Sequence, residues 1–134
     1  MLRSFIKLIA MLLVSASACG ADLIPPHLVG VWATENSVLK GPYLYEGQAL
    51  YLGSDGVGAF VGGPPPIGVK IIATFDPSTN TIEFDIYEGK QRGPHGSIKY
   101  DPTQNTVDSG APKDGPMSRR FDNFTEVVKK GLGL

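Results

Sequence analysis

Any chemistry in this chain would have to come from few residues. The histidines are His27 and His95, and the single cysteine is Cys19. A nucleophilic hydrolase gathers a hydroxyl or thiol, an imidazole base and an orienting acid. Ser97 follows His95 closely in "RGPHGS". Neighbours in sequence do not make that geometry, and no glycine-flanked nucleophile elbow occurs. His95 therefore reads as a solvated loop histidine and a candidate for surface recognition, and His27 stands beside Pro26 where the domain begins. Zinc needs three or four ligands, which two separated histidines and one cysteine do not supply. Glu83 and Asp85 form the kind of carboxylate pair that glycosidases use. Ile82, Phe84 and Ile86 take the other side of that stretch, so the two acids read as the solvent side of a strand. Asp76, Ser78 and Asn80 could offer oxygens to calcium, but the glycine and distal glutamate of a calcium loop are missing. The glycines at 56–58 and 62–63 do not fit a phosphate loop. The sequence points away from an enzyme and names no catalytic residue, metal or cofactor.

Cys19 has a different use. Arg3 and Lys7 make a positive start, Leu8 to Val14 ("LIAMLLV") an apolar run, and Ser15-Ala16-Ser17-Ala18 a small-residue end. That is the plan of a secretory signal over residues 1–18, since the apolar run is far short of the ~20 residues a membrane span needs. Cys19 would then be the first mature residue, unable to form an internal disulfide and reactive as a free thiol in an oxidising compartment. "ASAC" resembles the bacterial lipoprotein signal, in which the cysteine thiol is alkylated by a diacylglycerol before cleavage. The resemblance implies lipidation at Cys19 and a periplasmic or outer-membrane lipoprotein. Each buried acyl methylene contributes roughly 0.8 kcal/mol to such an anchor. Ala16 stands where that family has leucine or another aliphatic residue, and "ASA" also suits an ordinary signal peptidase, so plain secretion is the alternative. Residues 19–27 are then a short tether, kept extended by Pro25-Pro26, and residues 28–134 a single β domain.

Composition bounds the partners. The chain has 134 residues, 12 basic and 13 acidic. Loss of residues 1–18 removes Arg3 and Lys7, leaving 10 basic against 13 acidic and a net of −3. A mildly acidic domain with no basic stripe excludes nucleic acid as a partner. It also argues against electrostatic adsorption on anionic lipid. The 17 glycines and 11 prolines predict many turns and short elements.

The elements that must position these residues follow from alternation and turn chemistry. Strands are predicted over Leu28–Thr34, Tyr43–Gly53, Val57–Val61, Val69–Phe75 and Ile82–Ile86, with shorter ones at Gly96–Tyr100, Thr106-Val107 and Met117–Phe121. "FDPSTNTI" (75–82) and "YDPTQNTV" (100–107) repeat one turn pattern. Asp bonds its own backbone, Pro presets φ, and Asn tolerates a left-handed conformation, so each copy should join two antiparallel neighbours. Asn123 and Glu126 have capping-box spacing. Phe124, Val127 and Val128 can share a helix face, and Lys129, Lys130 and Gly131 suit its end. Asn123-Phe124-Thr125 is also a glycosylation pattern, relevant only to a eukaryotic source. The expected fold is all-β: a small antiparallel barrel or sandwich of about seven or eight short strands with a short C-terminal helix.

"LVGVW" followed by "MSRRF" and a short helix resembles the lipocalin-type (calycin) layout. There a Gly-x-Trp on the first strand meets an arginine of the last strand at one end of a barrel. The resemblance implies that Gly30 and Trp32 meet Arg119 or Arg120, a cation over the indole closing the barrel. It also implies a cavity for a small apolar ligand. Tyr43, Tyr45 and Tyr51, at odd positions of one strand, are the other candidate binding surface, with the loops 62–68, 92–96 and 110–116 beside them. The expected function is a non-catalytic, exported or envelope-anchored binding protein. Its partner would be a protein or cell-wall component, as for an inhibitor or immunity protein. The alternative is a lipocalin-like carrier of a small apolar ligand.

Overall fold

The computed structural model describes residues 23–109 and 115–134. The expected signal, Cys19 and residues 110–114 lie outside the described residues. Nine strands run in chain order: β1 (Gly30–Thr34), β2 (Val38–Lys40), β3 (Tyr43–Leu52), β4 (Val57–Gly63), β5 (Ile67–Asp76), β6 (Thr81–Glu88), β7 (Gln91–Asp101), β8 (Thr106–Asp108) and β9 (Met117–Phe121). One helix follows, α1 (Glu126–Gly131). Each strand from β3 to β9 pairs with the next, and β1 pairs with both β9 and β3. The result is a closed eight-stranded antiparallel barrel, with β2 an extra strand on β3. Closure leaves the eight barrel strands without the free edges a sandwich would have to protect.

Alternation sends one side of each strand inward. Trp32, Leu50, Leu52, Ile71, Ala73, Ile82, Ile98, Val107 and Met117 form the buried interior. Burial of each large apolar side chain contributes roughly 1.5–3 kcal/mol. Ile24 and Leu28 join the same cluster with no exposed surface. The amide of Ile24 donates to the Ser54 carbonyl at 3.2 Å, and Pro25 accepts from Leu28 at 2.9 Å. Residues 23–27 were expected as tether. Here they cap one end of the barrel, because Ile24 and Leu28 cover an interior that would otherwise meet water.

β1 is buried on both sides. Its outward Val31 and Ala33 pack with Ala49, Tyr51, Ala59, Leu44 and Val128 in a second cluster, bordered by Phe124, Leu132 and Leu134. α1 thus seals the outside of the β1–β3 wall. Its N-cap is Thr125, whose hydroxyl accepts from the Val128 amide, rather than Asn123. Val128 faces the barrel and Val127 is 73% exposed, so the expected three-residue face reduces to Phe124 and Val128. Leu44 and Tyr51 differ in parity yet share this outer cluster. Gly47, with φ of 108°, lies between them and breaks the alternation. It also admits Ser37, whose hydroxyl bonds both the amide and the carbonyl of Gln48. A Cβ on Gly47 would lie 2.8 Å from the Ser37 Cα.

The repeated turns behave alike. Asp76 accepts from the Ser78 amide and Asp101 from the Thr103 amide, both at 2.9 Å. Asn80 and Asn105 have φ of 51° and 55°, the left-handed conformation Asn tolerates. They join β5 to β6 and β7 to β8 as antiparallel neighbours.

Candidate functional site

The barrel has two dissimilar ends. At the capped end the Trp32 indole N–H donates to the Leu28 carbonyl at 2.9 Å, and Tyr100 meets the indole edge-on at 6.2 Å. Trp32 is opposite Arg119 in the β1–β9 register. Arg119 donates to Val29, Pro26 and Asp122 carbonyls, tying the cap and the segment after β9 to the wall. Arg120 donates instead to Thr34 at 2.8 Å on the far side of β1. His27 lies against Phe75 and Tyr100, with ring centroids 6.2 and 5.6 Å away. A cation–π contact is present elsewhere: Lys40 lies 4.1 Å over the Tyr45 ring.

At the other end the interior is unfilled. A cavity of about 370 Å³ is lined by Gln48, Phe60, Ile67, Val69, Ser109 and Met117, among others. Phe60 and Val69 are register partners on β4 and β5, and Gly62 and Ile67 the next pair on the same side. These inward positions continue the rows that lower down carry Ile71 and Ala73. Here the row opposite holds Gly62, so no side chain fills the space. Ile67 is 70% exposed and Val69 is 40% exposed, so the cavity reaches solvent along an apolar rim. Behind it, Phe84 of β6 packs against the lining residue Phe60, with ring centroids 5.0 Å apart at 64°. Such a space suits an apolar group, with Gln48 and Ser109 as the polar points near it.

The third feature lies on the outer face. β7 begins at Gln91, so His95 belongs to a strand, not to the loop its glycines suggest. Its register partner is Asp85. His95 Nδ1 lies 2.9 Å from Asp85 Oδ1, and Nε2 lies 2.6 Å from Glu83 Oε2. Arg92 Nη2 reaches the second Asp85 oxygen at 3.0 Å. Hydrogen bonds to both acids, Asp85 first, hold the His95 pKa above the ordinary 6.5. The His95 bond, followed by the Arg92 charge, pulls Asp85 below its ordinary value. Carboxylates occupy both ring nitrogens, so in this arrangement neither nitrogen is turned to a nucleophile such as Ser97, as a catalytic base must be. The His95 side chain is 57% exposed on a convex wall. Sequence reading had Glu83, Asp85 and His95 as separate features. The two-residue Gly89-Lys90 turn that brings them together was the missed signal, obscured by Gly93, Pro94 and Gly96.

The tyrosines do not form one surface. Tyr51 is fully buried. Its hydroxyl donates to the Pro42 carbonyl at 2.6 Å and accepts from the Leu44 amide at 3.2 Å. Tyr43 and Tyr45 are 40% and 48% exposed. Gly47 is the cause, since it separates the outer part of β3 from the part that carries Tyr51. Strands β4, β5 and β6 stand between β3 and His95 on β7, so His95 is not part of a shared patch with them.

Among the described residues no group of three His, Cys, Asp or Glu is placed to hold a metal. Also among them, no helix is long and apolar enough to cross a membrane. No protein-family model matches the chain, no curated protein matches it, and no solved structure matches it.

Proposed function

We propose that this chain is a non-catalytic, exported binding protein that takes a small apolar ligand in the unfilled end of its barrel, in the manner of a lipocalin-like carrier. The observation that supports this is the cavity of about 370 Å³ bounded by Phe60, Ile67, Val69 and Met117. Apolar cavities of a few hundred Å³ with sparse polar groups are the usual form of small-molecule sites. Burying an apolar ligand there would also cover Ile67 and Val69. The same exposed rim favours a second reading, in which a partner protein inserts an apolar side chain, as an inhibitor or immunity protein would require. Export and acylation at Cys19 rest on the N-terminal signal pattern.

The test is titration with the neutral fluorescent probe N-phenylnaphthylamine. Saturable binding that is lost in Phe60→Trp or Met117→Trp, with the thermal unfolding curve retained, supports the carrier. Failure of the intact chain to bind this probe or a panel of medium-chain fatty acids and alcohols sets the carrier reading aside in favour of a protein partner.

A further inference from the structure

The His95 cluster sits beside an irregularity in the barrel wall. β6 and β7 pair regularly from Thr81 opposite Lys99 to Asp85 opposite His95, then shift register before Tyr87 opposite Arg92. One residue, Ile86, faces two, Gly93 and Pro94, so β7 carries an extra residue. Pro94 has no N–H to donate. A bulge with a proline leaves backbone pairing locally broken. Asp85 spans that break, holding Arg92 on one side and His95 on the other. His95 then reaches down to Glu83. Side chains thus fasten a stretch that the backbone ladder does not.

The same stretch reaches the cavity through one of its lining residues, Phe60. Phe84 and Ile86 alternate with Glu83 and Asp85 and pack against the interior cluster. Phe84 is opposite Gly96, next to His95. Its ring lies so close that a Cβ on Gly96 would fall 2.9 Å from one ring Cε and 3.1 Å from the other. Phe84 in turn meets Phe60, which lines the cavity.

We propose that His95 is a pH-operated latch on the cavity wall: its imidazolium clamps Glu83 and Asp85 across the β7 bulge, and its deprotonation loosens the β6–β7 hairpin and the Phe84–Phe60 wall behind it. A neutral imidazole has one donor nitrogen. It can satisfy one carboxylate, and its bare lone pair then faces the other. The surrounding charges on this face do not replace the lost cation. Arg92 is engaged with the far oxygen of Asp85. On β5 the charged neighbour is Lys70, opposite Tyr87. Lys99, lower on β7, bonds Thr79 and Thr81, and Asp108 on β8 lies opposite Lys99. The latch is closed at and below the ordinary histidine value and opens as pH rises through the elevated folded value. The functional consequence rests on the proposed cavity. By linkage, whatever binds a wall ordered by the latch also favours the protonated form of His95.

The experiment is amide hydrogen exchange by NMR on the full chain, from about pH 6 to about pH 9, with the His95 ring titrated in the same samples. Protection of the amides in 84–88 and 91–96, corrected for intrinsic rates, is expected to fall about two- to fivefold as His95 deprotonates, the scale of exposed charge pairs. In His95→Arg, which keeps a cation at every pH, that protection is expected to stay flat. In His95→Gln it is expected to be low throughout. Wild type and His95→Arg running in parallel would overturn the latch. N-phenylnaphthylamine affinity is expected to weaken over the same pH interval in wild type only. If the probe does not bind at any pH, the carrier reading fails, and the exchange data alone decide the latch.

Discussion

The Trp32 indole N–H donates to the Leu28 carbonyl across the capped end of the barrel, at 2.9 Å and with both side chains fully buried. This bond joins the first strand to the segment that covers it. Arg119, opposite Trp32 in register, donates to Val29 at 3.0 Å from the other side. The cap is therefore held by two donors from neighbouring strands, each aimed at a carbonyl that has no strand partner. With one end fastened in this way, the unfilled space of the barrel lies at the other end.

Trp32→Phe should therefore cost more than the loss of ring volume alone. It leaves the Leu28 carbonyl without a partner in a buried site, and an unsatisfied buried acceptor costs about 1–3 kcal/mol. The cavity left by the smaller ring adds to that. Urea unfolding should show a lower midpoint by about 2–4 kcal/mol of stability. Arg119→Lys should cost about 1–2 kcal/mol, because one ammonium cannot reach carbonyls on both sides as the guanidinium fork does. An unchanged midpoint in either variant would contradict the role given to these donors.

Gly96 and Phe84 form a second pair open to test. Gly96→Ala places a methyl group against the Phe84 ring, and the ring has Phe60 behind it. Overpacking of this kind costs about 1–3 kcal/mol. Shortening the opposing side chain should recover part of the loss. In a double-mutant cycle, Gly96→Ala with Phe84→Leu should be more stable than the sum of the two single effects by about 0.5–2 kcal/mol. Additive effects would mean that Gly96 is required for some reason other than the ring.

Local rules carried much of this fold and little of its site. The repeated Asp-Pro turns were legible because each is decided within four residues, by an Asp side chain and a left-handed Asn. The alternation of Ile82, Phe84 and Ile86 gave β6 its inward face directly. β2 was missed, since three exposed or half-exposed residues carry no alternation to read. The His95 cluster was missed because it depends on register, and the bulge at Gly93-Pro94 hides the register from any local pattern. The cavity was implied only through the lipocalin-type resemblance. Nothing local marks Gly62 as the position where a missing side chain leaves space opposite Ile67.

Tyr51 supplies a prediction with a definite sign. Burial raises its phenol above the ordinary 10.0, against the smaller, opposing effect of the Leu44 amide bond. The folded state therefore resists ionisation while the unfolded chain ionises near the ordinary value. The stabilisation is complete below pH 10.0 and declines as pH rises through the elevated folded value. Tyr51→Phe removes this group, so its stability should decline less steeply above about pH 10 than that of the wild type. At neutral pH the same variant loses the bond to the Pro42 carbonyl and the acceptor for the Leu44 amide. A loss of about 1–2 kcal/mol is expected there. Phe124, which meets the Tyr51 ring edge-on at 5.6 Å, should keep its packing, because the ring itself remains. Chemical denaturation of both proteins at neutral and alkaline pH checks this. Parallel alkaline slopes would show that Tyr51 does not control the high-pH limit of the fold.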